Sequence, residues 1–153
     1  MPATTVKPQK PSKTARLSAA RLAAAQAVYQ MMANQQKAAA VVQDFRTHRF
    51  GKPVDGQVMV MPDEDLFESI VVGVEDRSKE IEAIIVKPGQ AVPAEPLLRA
   101  IMLCAVWELT ATQTDTPLVI AEYLNVTHAF FDKGESRLIN GVLDRVAKEA
   151  RGS

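Results

Sequence analysis

The stretch Leu97 to Leu109, LLRAIMLCAVWEL, constrains this chain more than any other. Leu97, Leu98, Ile101, Met102, Ala105, Val106 and Leu109 recur at three- and four-residue steps, the period of a helix. Leu103, Cys104 and Trp107 make the remaining faces apolar too, and Arg99 and Glu108 are its only charges. A helix that is apolar nearly all round is wrapped by other elements. The uncharged run Ala100 to Trp107 is far shorter than the roughly 18 residues of a membrane span. The segment therefore reads as the central helix of an all-α domain, and a membrane role is not expected.

The flanking segments repeat the helical period. A helix is expected from Ser12 or Thr14 to about Asn34, with Leu17, Ala24, Ala25, Val28, Tyr29, Met31 and Met32 on its apolar half. Arg21 falls inside that apolar arc. Either it snorkels past the edge of the core, or this end of the helix projects and presents Arg21 to a ligand. A second helix covers about Gln36 to Phe50, and Gly51 stops it. Residues 51–62 read as a loop; Val58 to Met61 has strand character but no evident partner strand. A third helix opens on Asp63, Glu64 and Asp65, acids that suit a helix N-terminus, and ends at Pro88-Gly89. A fifth begins at Thr116-Pro117, and a last one uses Leu138, Ile139, Val142, Leu143, Val146 and Ala147. Within it, Gly141 is expected to allow a close helix approach. The sum is a bundle of about six to seven helices spanning residues 13–150, behind a disordered, basic tail over 1–12.

Zero net charge hides an asymmetry. Residues 1–43 hold six basic side chains (Lys7, Lys10, Lys13, Arg16, Arg21, Lys37) and no acid, whereas residues 44–153 carry all 18 acids against 12 bases. A basic end on an acidic body suits a polyanionic partner, although a solvated tail has the same composition. A single cysteine forms no internal disulfide, and the N-terminus lacks an apolar signal region, which together point to the cytoplasm.

Catalytic chemistry is missing from the sequence. Neither GxGxxG nor GxxxxGK[ST] occurs, His48 and His128 lie in no metal-ligand spacing, and Cys104 sits where a thiolate is disfavoured. No cofactor, metal or enzymatic activity is expected. Glu108 in so apolar a helix needs a partner, because a lone buried charge is costly. Arg99, nine residues away, points to the opposite side. The partner is either a basic group on a neighbouring helix, such as Arg77, or one on another protein; Glu122 faces the same choice.

Taken in order, RLSAARLAAAQAVYQ, LLRAIMLCAVWEL, DTPLVIAEYLNVTHAFF and RLINGVLDRVA resemble the NusB family of bacterial transcription antitermination factors. The family pattern is an Arg-rich start running into AxQALY, then LRxAxYEL, VPxxVxINEAVExAKxF and FVNGVLD. The resemblance covers about residues 13–149. It implies an all-helical fold of two three-helix halves, and a non-catalytic adaptor in the antitermination complex of RNA polymerase. Such an adaptor binds boxA-type RNA together with the ribosomal protein NusE and supports rRNA transcription, as a monomer or a homodimer. Lys13, Arg16 and Arg21 match the family's Arg-rich RNA-binding region, and Gln26 and Tyr29 match its QALY letters. Glu108 matches the acid that faces the protein partner, and Glu122 the acid of the INE motif. Leu17, Ser18 and Ala19 stand where more arginines are usual, which shifts weight onto Lys7 and Lys10 or favours a protein-interaction module with little RNA binding. Tyr29 and Phe130 are either core aromatics or platforms for RNA bases, and Arg137 is either a solvated charge or an extension of the basic surface.

Overall fold

In a computed structural model, residues 11–54 and 56–152 are described. Among them are six helices and one minimal hairpin: α1 Lys13–Asn34, α2 Ala38–His48, β1 Pro53–Val54, β2 Gln57–Val58, α3 Glu64–Ile85, α4 Pro96–Ala111, α5 Thr116–His128 and α6 Lys133–Arg151. Lys7 and Lys10, with the rest of the expected tail up to residue 10, lie outside the described residues. No helix among the described residues is long and apolar enough to cross a membrane.

Helix α4 is central. It packs on α1 and α3 in one half and on α5 and α6 in the other, while α2 touches only α1 and α3. Every residue from Ala100 to Leu109 is buried, as an all-round apolar helix requires. The side chain of Glu95 starts the helix by accepting the Leu98 N–H at 2.7 Å, and Pro96 follows where no N–H is needed. Helix α1 reaches α4 closely because its buried face is mostly alanine: Ala20, Ala23, Ala24, Ala25 and Ala27. Ser12 is its cap, accepting from Ala15 N–H at 3.1 Å.

Three expectations change. The loop after α2 supplies its own strand partner: Pro53 pairs with Val58 and Val54 with Gln57, with Gly56 at φ 77° in the turn. Gly141 has nothing within 4 Å of where a Cβ would stand, so it mediates no close approach. The close approach is at Gly73 in α3, against Trp107. Helix α3 also breaks at Arg77 (φ −117°, ψ 17°), so six helices become seven if its two rods are counted apart.

Helix α6 ties the ends of both halves. Arg145 donates to the carbonyls of Ile84 (3.3 Å) and Ile85 (2.6 Å), the last of α3. Arg151 donates to the Leu109 and Thr112 carbonyls at 2.8 Å each, and to that of Thr114. The carbonyls of Ile84, Ile85 and Leu109, in the last turns of α3 and α4, have no helical partner of their own, and a cation there suits the negative end of the helix dipole. Those of Thr112 and Thr114 belong to the connection between α4 and α5.

Candidate RNA interface

The side chain that the sequence places awkwardly decides the geometry. Arg21 neither snorkels nor projects; it is 3% exposed and joins α1 to α4 and α5 through two acids. Its Nη2 lies 2.7 Å from Glu108 Oε2 and its Nη1 2.8 Å from Glu122 Oε1. Its Nε donates to Glu108 Oε1 at 3.0 Å, making the Glu108 contact bidentate. Tyr123 donates its hydroxyl to Glu108 Oε1 at 2.8 Å, and Ser18 donates to Glu122 at 2.7 Å. Every charge in the cluster thus has partners, which is the condition for burying it. Burial by itself lowers the guanidinium pKa, but the hydrogen bond and charge of Glu108 outweigh it and hold Arg21 above its ordinary value.

Of the expected site residues, Arg21 is thus buried, and Glu108, at 0% exposure, and Glu122, at 8%, are turned inward to pair with it. The inward alternative for Glu108 holds with a different cation than Arg77, which pairs with Glu80 at 3.0 Å. Arg99 pairs with Glu82.

The remaining expected residues fall into three groups. Lys13 and Arg16 are exposed at the start of α1, where the Arg16 carbonyl accepts the Asp63 N–H at 2.9 Å. Gln26 is half-buried and Tyr29 is 41% exposed, farther along the same helix. On an ideal helix Arg16 and Tyr29 project about 140° apart, so they do not share one face. Phe130, 40% exposed, and Arg137, also exposed, lie where α5 gives way to α6. An open cleft of about 570 Å³ in that corner is lined by His128, Phe131, Asp132, Lys133 and Gly134. Both candidate platforms, Tyr29 and Phe130, therefore reach solvent, and the buried tyrosine is Tyr123. Among the described residues no group of His, Cys, Asp and Glu is placed to hold a metal ion.

Sequence reasoning missed Ser18, Tyr123 and Gly73. A cation in the apolar arc of one helix and an anion in the apolar run of another call for each other, which signals the Arg21–Glu108 pair but not the hydroxyls of Ser18 and Tyr123 that complete it.

Two buried groups make stability fall in alkali. Burial, then the charge of Glu108, pushes the Tyr123 hydroxyl well above its ordinary value, and the same two causes raise the Cys104 thiol. The unfolded chain releases these protons near pH 10 and about 8.5 while the native state keeps them, so the native state binds more protons. Stability is expected to drop by about 1.4 kcal/mol per pH unit for each group above those values. Urea denaturation from about pH 8 to 11 measures it. Cys104→Ala should flatten the lower limb, and a limb that does not change removes the thiol from this account.

The NusB family model matches residues 18–148 of the chain, a span that begins after Lys13 and Arg16. The transcription antitermination protein NusB of Allorhizobium ampelinum is 37% identical over 155 residues, covering 97% of this chain and 96% of that protein. The protein of the same name from Maricaulis maris is 39% identical over 139 residues, with 87% and 86% covered. The solved structure of T. maritima NusB matches with a TM-score of 0.71 at 17% identity, over 94% of this chain and 96% of that one, a likeness of fold.

Proposed function

The chain belongs to the NusB family of transcription antitermination proteins, and we propose that it is a non-catalytic cytoplasmic adaptor binding boxA-type RNA together with the ribosomal protein NusE. The observation that carries this reading is the near full-length match to proteins of that name. The exposed start of α1 supports it: no carboxylate lies within 4 Å of Lys13 or Arg16 among the described residues. Cations left unpaired on a surface are available to phosphates, and each contact releases counterion. Tyr29, Phe130 and Arg137 supply exposed planar groups of the type on which single-stranded bases stack.

The test is an anisotropy titration with boxA-type RNA, with and without NusE, repeated across salt. Binding is expected to tighten with NusE. Lys13→Ala with Arg16→Ala should make the slope of log affinity against log salt shallower by about 1.4, two single-strand phosphate contacts. An unchanged slope removes both residues from the RNA path, and no gain from NusE removes the joint binding.

One observation favours a second reading, a protein-interaction module with little RNA binding. Burial withdraws Arg21 from an already thinned basic cluster, and Leu22, Gln26 and Tyr29 leave an uncharged stripe outside α1. The same titration separates the two: NusE bound without any RNA affinity at low salt supports the second.

A further inference from the structure

Residues 46–52, Arg-Thr-His-Arg-Phe-Gly-Lys, carry four basic side chains and no acid. They close α2 and lead into β1. Arg46 is already engaged with α3, 3.0 Å from Glu64 and 3.4 Å from Glu68. His48, Arg49 and Lys52 are exposed, and among the described residues no carboxylate lies within 4 Å of Arg49 or Lys52. The helix dipole accounts for bases in the last turn of α2, but its effect fades within that turn and does not reach Lys52.

Arg49 is held in place rather than left to wander. Its guanidinium carbon sits 4.4 Å over the centroid of the Phe45 ring. That ring is buried and stacks on Phe67 at 5.5 Å, with Phe50 edge-on at 6.0 Å. Arg49 Nη2 also donates to Gln30 Oε1 on α1 at 3.3 Å, and the Gln30 amide donates to Gln36 and Asp44 at 3.1 Å each. A guanidinium so placed loses little further freedom on binding an anion.

The patch and the basic start of α1 are bridged at the start of α3: its cap residue Asp63 donates its N–H to the Arg16 carbonyl, and Glu64 beside it holds Arg46, while Arg49 reaches Gln30, about 21 Å along α1 from Arg16. The neighbouring acids are mostly occupied. Asp63 caps Leu66, Glu64 and Glu68 hold Arg46, and Asp44 accepts from Gln30, which leaves Asp65 as the exposed acid of that turn. We infer that Arg49 and Lys52, with His48 beside them, are a second phosphate-contacting station for the single-stranded RNA that meets Lys13 and Arg16. This inference rests on the RNA-binding reading above. Two separate groups of unpaired cations, with no acid in the 46–52 run, suit the repeating phosphates of an RNA strand over an acidic protein as the occupant.

The experiment is the salt titration of the full chain with a boxA-type RNA extended by single-stranded uridines on both sides. Arg49→Ala with Lys52→Ala should flatten the salt slope by about 1.4, so its affinity deficit relative to the unsubstituted chain shrinks about sevenfold between 50 and 200 mM salt. Arg49→Lys with Lys52→Arg should keep the slope, and circular dichroism melts check that the fold is intact. If the alanine pair leaves the slope unchanged while the Lys13/Arg16 pair lowers it, the second station is overturned and the RNA-binding reading stands. If the unsubstituted chain binds no RNA, both fall. If the alanine pair loses NusE affinity at an unchanged RNA slope, the patch is a protein surface and the inference is overturned.

Discussion

Arg21→Met is expected to lower stability by about 3–5 kcal/mol, the usual cost of removing one partner from a buried ion pair. Methionine fills a similar volume, so the loss reports charge more than cavity. It leaves Glu108, fully buried, with only the Tyr123 hydroxyl, and Glu122 with only Ser18. Urea denaturation followed by Trp107 fluorescence measures the change, and a loss under about 1 kcal/mol would show that the acids relax into water. Adding Glu108→Leu and Glu122→Leu should recover much of the loss, because an apolar replacement of a whole cluster removes the desolvation cost as well. Under the proposed RNA-binding function, the same variant also tests whether Arg21 contacts RNA. A contact with phosphate would flatten the salt slope; a buried clamp leaves the slope of the folded protein unchanged.

Most of the fold was legible because helical period and core membership are local in this chain. The apolar run from Ala100 to Leu109 could only be central, and α4 is. The candidate site was less legible, because pairing across the bundle is not local. Arg21 violated its own helix's pattern, and so did Glu108; each violation was visible, but their being opposite ends of one bond depends on how α1 crosses α4. Phe130 counted as apolar periodicity, yet α5 ends at His128, and past that end the period no longer sets where a side chain points. Arg145 and Arg151 left no trace in the sequence, since their acceptors are backbone carbonyls of distant helices. Nor does a hairpin of two-residue strands leave a countable alternation.

The glycines make the same point with a measurable consequence. Gly141 sits in the expected motif and touches nothing, while Gly73, in an ordinary helical stretch, lies under the indole of Trp107. A Cβ built on Gly73 would stand 2.1 Å from Trp107 Nε1, 2.3 Å from Cε2 and 2.8 Å from Cζ2. Trp107 belongs to the buried central helix, so the ring has little room to retreat. Alanine in a helix interior is favoured over glycine by about 1 kcal/mol, and on propensity alone Gly73→Ala would stabilise. Overpacking reverses the sign: a net loss of about 1–3 kcal/mol is expected, with a shifted Trp107 emission, and Gly73→Val should cost more. In a Trp107→Leu background the clash is gone, so Gly73→Ala should become neutral or stabilising there. Such a change of sign between backgrounds is the coupling that a double-mutant cycle reads. If Gly73→Ala stabilises both backgrounds equally, the indole does not rest on that glycine, and the contact that fixes how α3 crosses α4 must be sought elsewhere.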